Sequence, residues 1–299
     1  VTSKTGISDL FVDGPDLYWT TPTTSNNVAL MTMPVAGGTP RAIGVGHDIG
    51  PLAFDASNIY WVTLNDGTLN GAVVKVRRAD DSSVTLATGL YTDGASALGV
   101  NSRGLYWNGE TAPDRMTGSV TPGIFTMPLD GGTPQLVPDS ERCGRLAFAD
   151  ETNLYCTSEK VPLDGSAPTQ LATPAQSNST AIIGAAFGAS HLYLVTYGCR
   201  LLKVPVDGQP VVTLATLPTP AGFETDSGCG GPLVVDAHNA YIADDYDGAV
   251  MKVALDGSGM VTTLATFNRI DGIALNATSV YVANVDKDNE SELIKVTPK

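Results

Sequence analysis

Basic residues are scarce in this chain, and their scarcity is the first constraint on its partners. Lys and Arg number 17 against 31 Asp and Glu in 299 residues, a formal net charge of −14. So acidic a surface repels phosphate backbones and anionic headgroups, which argues against nucleic acid and membrane surfaces. No apolar run approaches the ~18–20 residues of a membrane-spanning helix. No signal peptide is visible, and a start at Val1 reads as a mature or trimmed product. Cysteine is limited to four, with no Cys-x-x-Cys pair, so zinc and thiol-redox readings lack support. Helical periodicity is missing, and with it a parallel βαβ fold. There is no Gly-x-Ser-x-Gly elbow to carry a nucleophilic serine. Charged residues are only 16%, below the ~25% usual in globular domains.

What is abundant is turn chemistry and a repeat. Gly (32) and Pro (19) punctuate short β-branched and aromatic segments. One phrase recurs seven times, at intervals of roughly 38 to 49 residues: Leu17-Tyr18-Trp19, Ile59-Tyr60-Trp61, Leu105-Tyr106-Trp107, Leu154-Tyr155-Cys156, Leu192-Tyr193-Leu194, Ala240-Tyr241-Ile242 and Val280-Tyr281-Val282. A second phrase follows it, as in Met127-Pro128-Leu129-Asp130-Gly131 and Val161-Pro162-Leu163-Asp164-Gly165. A third ends the unit, as in Thr213-Leu214-Ala215 and Thr263-Leu264-Ala265. Four strands per unit at this spacing predict an all-β, seven-bladed β-propeller with four-stranded antiparallel blades. The predicted blades run approximately over 6–46, 47–89, 90–139, 140–173, 174–217, 218–267 and 268–299, in one domain. The last unit lacks a fourth strand, so residues 1–5 are predicted to pair onto it and close the ring.

The Leu-Tyr-Trp-Thr and Pro-Leu-Asp-Gly phrases resemble the YWTD propeller repeats, and more loosely the TolB-like and NHL-like propellers of exported bacterial proteins. Two departures limit what the resemblance implies. The receptor propellers usually have six blades, and here Trp19, Trp61 and Trp107 are not followed by the Asp of that motif. Receptor-type ligand binding is therefore not carried over, and the fold alone decides no function.

The repeat also sorts residues. Strands one and two join at one face, the bottom; strands two and three join at the top, beside the links between blades. The tryptophans and seven of the ten tyrosines occupy repeat positions and read as packing. Tyr91, Tyr197, Phe223 and Tyr246 fall in top loops that the fold does not demand, so they are candidate contacts. His47, in a top link, is the one histidine placed to act as a base. His191 and His238 sit in bottom turns and read as solvated. Asp286, Asp288 and Glu290 alternate oxygen donors along one loop, and Asp244, Asp245 and Asp247 along another, as Ca²⁺ ligands would. The cysteines are expected to pair as Cys143–Cys156 and Cys199–Cys229, with free buried thiols the alternative. Disulfides would place the chain in an oxidising compartment, as a secreted, periplasmic or lipid-anchored surface protein.

The reading these residues favour is a non-catalytic extracytoplasmic binding or scaffold module. Its top loops would engage a protein or glycan, with no cofactor required. Two alternatives stay open. One is a Ca²⁺-dependent hydrolase or lyase with its site at the central channel mouth. The other is a lectin, which requires the same polar residues at equivalent positions in several blades.

Overall fold

A computed structural model describes the chain apart from residues 1, 4–5, 24–26, 48, 64–70, 91–96, 112–119, 172–180, 219–229, 245–247, 287–289 and 298. The chain folds as a seven-bladed β-propeller of four-stranded antiparallel sheets. β1 is Thr2–Ser3. Blade 1 holds β2 (Ser8–Asp13), β3 (Asp16–Pro22), β4 (Asn27–Pro34) and β5 (Arg41–His47). Blade 2 holds β6 (Ile49–Phe54), β7 (Asn58–Thr63), β8 (Gly71–Arg77) and β9 (Ser83–Leu90). Blade 3 holds β10 (Leu98–Asn101), β11 (Gly104–Glu110), β12 (Pro122–Met127) and β13 (Gln135–Leu136). Blade 4 holds β14 (Leu146–Ala149), β15 (Asn153–Cys156), β16 (Glu159–Pro162) and β17 (Thr169–Gln170). Blade 5 holds β18 (Ile182–Gly188), β19 (His191–Thr196), β20 (Arg200–Pro205) and β21 (Val212–Thr216). Blade 6 holds β22 (Leu233–Val235), β23 (Asn239–Ala243), β24 (Ala249–Ala254) and β25 (Val261–Thr266). Blade 7 holds β26 (Arg269–Leu275), β27 (Val280–Val285) and β28 (Ser291–Val296), and its fourth strand is β1. Thr2 pairs with Glu292 and Ser3 with Ser291. The expected clasp is present over these two residues; residues 1, 4 and 5 lie outside the described chain.

The chain divides into two compact units, residues 1–22, 32–39 and 171–299, and residues 23–31 and 40–170. In the second unit, Tyr60, Val62 and Val73 of blade 2 pack with Leu105, Trp107 and Met127 of blade 3. Tyr106 and Ile124 of blade 3 pack with Leu146, Leu154 and Cys156 of blade 4. In the first unit, Tyr193 and Leu201 of blade 5 pack with Ile242 and Met251 of blade 6. Tyr241 and Val250 pack with Ile273 and Val282 of blade 7. The pleat explains the phrase. Adjacent residues on a strand point to opposite faces, so the Tyr meets the following blade and the residue after it meets the preceding one. Trp61 and Trp107 are each 1% exposed. The indole of Trp61 lies against Gly44, where an added Cβ would come within 2.6 Å of it.

The Pro-Leu-Asp-Gly phrase is the turn between third and fourth strands. Gly131 donates its amide to the Pro128 carbonyl at 3.0 Å and adopts φ +96°. The φ is left-handed, which glycine adopts without steric cost.

Candidate functional site

The turn joining first and second strands carries a motif that reading the tyrosines alone overlooks. Asp55 Oδ1 accepts the amides of Ser57 and Asn58 at 2.7 and 2.6 Å, and its Oδ2 accepts the Tyr60 hydroxyl at 2.8 Å. Asp150 does the same for Thr152, Asn153 and Tyr155, and Asp236 for His238, Asn239 and Tyr241. Asn276 accepts the amides of Thr278 and Ser279 and donates Nδ2 to Tyr281 at 3.0 Å. The repeat tyrosine is thus a packing ring whose polar tip is tied to an Asx turn five residues earlier. Burial and the acidic acceptor push Tyr155 and Tyr241 up to about 12. Burial alone would raise Asp236, but hydrogen bonds from Lys299, the amides of His238 and Asn239 and the Tyr241 hydroxyl outweigh it and hold the carboxyl at about 2.

Blade 5 breaks the motif. Gly188 stands where the Asx would be, and the turn is made by Ala189 and Ser190 at φ +47° and +61°. Tyr193 therefore has no acidic anchor. It lines a cleft of about 380 Å³ between blades 5 and 6, with His191, Lys203, His238, Asn239 and Asp256. His191 and His238, read from the sequence as solvated bottom-turn residues, are half-buried and exposed respectively, and because their turns sit on adjacent blades the fold brings both to the rim of one cleft. His191 Nδ1 lies 2.7 Å from the Ala189 carbonyl. Related clefts recur on this face. One of about 580 Å³ lies between blades 6 and 7, lined by Asp236, His238, Tyr241, Thr278 and Lys299. Another of about 540 Å³ lies between blades 3 and 4, lined by Arg103, Asn153, Lys160 and Asp164. Lysine is placed by the repeat. Lys75, Lys160, Lys203, Lys252 and Lys295 each pair across the ladder with the repeat tyrosine of their blade.

On the opposite face the predicted residues are divided. Tyr91, Phe223, Tyr246, Asp245, Asp247 and Asp288 lie outside the described residues. Tyr197 is half-buried, and its amide donates to Ala181 O at 2.8 Å. His47 ends β5, with a buried Nδ1 that has no hydrogen-bond partner. Asp244 is buried, and its amide donates to Ala249 O at 2.8 Å. Asp286 and Glu290 close their loop on each other: the Asp286 amide donates to Glu290 O, and the Glu290 amide to Asp286 Oδ1, both at 2.9 Å. Among the described residues no three His, Cys, Asp or Glu side chains lie close enough to hold a metal ion. Cys143 and Cys156 form a disulfide, with Cα atoms 5.2 Å apart. Cys199 is also disulfide-bonded; Cys229, its expected partner, lies outside the described residues.

Reading the sequence missed one group on this face, Glu159. Glu159 is 4% exposed, and its Oε1 has no hydrogen-bond partner. With Asp139, Glu141, Arg142, Pro168 and Gln170 it lines a cavity of about 550 Å³. Burial raises its pKa, Arg142 lowers it, and Glu141 and Asp139 raise it further.

No family model matches the chain, and no curated protein matches it in sequence. Solved structures do. A propeller in the nidogen/laminin complex is 17% identical, with 79% of this chain and 89% of that one covered and a TM-score of 0.54. Streptogramin B lyase is 13% identical, covers 97% and 94%, and has a TM-score of 0.64. The β-propeller domain of the Trilobed protease from Pyrococcus furiosus is 12% identical, covers 99% and 96%, and has a TM-score of 0.62. At such identities the likeness shows the fold alone.

Proposed function

We propose that the protein is a non-catalytic binding module that works in an oxidising compartment and holds a polar ligand, a glycan or a protein loop, in its inter-blade clefts. The observation that carries this reading is the recurrence of polar clefts beside the first-to-second-strand turns at three places, between blades 3 and 4, 5 and 6, and 6 and 7. A single active site has no use for copies of itself, whereas a multivalent binder gains avidity from them. The blade 5–6 cleft suits hydroxylated ligands: Tyr193, the imidazoles of His191 and His238, the Lys203 ammonium and the Asp256 carboxylate supply its donors and acceptors. Volumes of about 380 to 580 Å³ fall within the range of small-ligand sites. The face differs from the one the loop aromatics suggest. Bottom turns repeat because the fold makes them repeat, and that is what a multivalent surface requires.

The test is an array of neutral and acidic oligosaccharides and peptides, followed by calorimetry. A captured ligand is expected to bind at more than one site per chain. Tyr193→Phe and Lys203→Ala should weaken the blade 5–6 site at least tenfold and lower the number of tight sites per chain by one, with melting temperatures nearly unchanged. A stoichiometry of one site per chain, a site number that both variants leave unchanged, or turnover of the ligand would overturn the reading.

A further inference from the structure

Blade 4 departs from its sister blades at one position, and a cavity has formed there. In the ladder of each blade, the residue before the lysine position of the third strand faces the residue after the repeat tyrosine. That position is Met31, Val74, Phe125, Leu202, Met251 and Ile294 in the other six blades, all apolar, and Glu159 in blade 4. The facing residue is an indole in blades 1 to 3 and Cys156 in blade 4, part of the disulfide to Cys143. A sulfur bridge thus stands where blades 1 to 3 carry a ring and blades 5 to 7 carry Leu194, Ile242 and Val282, and a carboxylate stands where the other blades carry an apolar side chain. That carboxylate lines the cavity of about 550 Å³ already described. A buried carboxylate oxygen with no hydrogen-bond partner is costly, and such groups cluster at ligand sites.

The cavity walls are held firmly. Ser140 Oγ donates to Val137 O at 2.7 Å, and the Cys143 amide donates to Ser140 O at 3.0 Å. Asn108 Nδ2 donates to Gly144 O at 2.7 Å, while its Oδ1 accepts the Leu146 amide at 2.8 Å. Gln170 Nε2 donates to Ser158 O at 2.7 Å. With the disulfide, these bonds pre-organise the link that carries Asp139, Glu141 and Arg142.

We infer that this cavity is a recognition site for a guanidinium, the side chain of an arginine presented by a basic protein or peptide partner. Three carboxylates and one arginine leave the lining net negative, within a chain of net charge −14. The carboxylates do not converge closely enough to hold a metal ion. Carboxylates spaced in this way suit an extended cation better than a small metal ion. A guanidinium is planar, weakly hydrated and forked, so it can satisfy a buried carboxylate edge-on while its flat face lies against Pro168. An ammonium is more strongly hydrated and loses more on entering.

The experiment titrates the intact protein with three probes, Ac-Gly-Arg-Gly-NH₂, its lysine analogue and its citrulline analogue, and then with CaCl₂, following amide chemical shifts. The arginine peptide is expected to perturb residues of this cavity and to bind at least tenfold more tightly than the citrulline peptide. Glu159→Gln should abolish that preference, while Asp130→Asn at an exposed turn of blade 3 should leave it intact. Equal binding of arginine and citrulline, retention of the preference in Glu159→Gln, or a Ca²⁺ response that depends on Glu159 would each overturn the proposal. Because the clefts on the opposite face do not include Glu159, failure here leaves the multivalent reading untouched, and the converse holds.

Discussion

At the scale of single residues, the chain separates groups whose polar atoms are satisfied from groups whose polar atoms are not. Asp236 belongs to the first kind. Its depressed pKa means that the folded chain prefers the carboxylate more than the unfolded chain does. The stabilisation is therefore complete above the unfolded value near ~4 and is lost as pH falls through about 2. Asp236→Asn is expected to cost about 1–2 kcal/mol at pH 7, after discounting for partial solvent screening. The gap between the melting temperatures of wild type and variant should close between pH 4 and pH 2. A gap that persists at pH 2 would assign the effect to packing rather than charge. Glu159 is the opposite case. Its pKa is raised, chiefly by burial, so the folded state disfavours its carboxylate, and the cost grows as pH rises through the carboxylate range. Glu159→Gln is expected to raise the melting temperature at pH 7 and to lose that advantage under acid, checked by calorimetry at both pH values. A residue that lowers stability in this way fits a role in binding rather than in the fold.

At the scale of elements, neighbouring blades within each compact unit cover one another's faces, and the connections decide how well each blade holds. Blade 4 has the shortest strands, with two residues in β17 and four in each of β14, β15 and β16. Its disulfide compensates. The bridge closes a loop of 13 residues, which in the chain-entropy model is worth about 3 kcal/mol. Replacing Cys143 and Cys156 together with serine should lower denaturant stability by about that amount and broaden the amide signals of the Glu159 cavity. An unchanged midpoint would show that the hydrogen bonds of Ser140 and Asn108 hold the link alone. Blade 7 depends on a different device. Its fourth strand, β1, comes from the opposite end of the chain and covers the edge of β28. Deleting residues 1–5 leaves that edge unpaired, and exposed strand edges recruit other chains. Concentration-dependent light scattering by the truncated protein is the expected consequence; a stable monomer would argue that two ladder pairs matter little.

At the scale of the whole molecule, the seven-fold repeat was legible because packing between blades demands the same residue types at the same pleat positions. Tyr60 and Trp61 illustrate it: neighbours in sequence, they bury against different blades, so both are constrained. The turn chemistry was legible in part. The glycines of Pro-Leu-Asp-Gly announce themselves, but Asp55, Asp150, Asp236 and Asn276, five residues before their tyrosines, read as ordinary turn residues until the hydroxyl contact is in view. The candidate sites were less legible. Loop aromatics and acidic runs draw the eye because they stand outside the repeat. His191, His238 and Tyr193 lie inside it, and only the juxtaposition of two blades places them in one cleft. Glu159 could have been found by aligning the repeats, where a single charge interrupts six apolar residues. What that charge faces could not.

The division between sequence and structure follows from the range of the interactions. Strand period, turn type and blade count depend on contacts a few residues apart or on a pattern repeated along the chain, so the linear order determines them, as it does the acidic balance that disfavours nucleic acid. A cleft or a cavity depends on side chains from different strands and turns meeting in space, and on whether a buried carboxylate finds a donor. Glu159 finds none at its Oε1. That is a property of the packed blade, and only the tertiary structure could decide it.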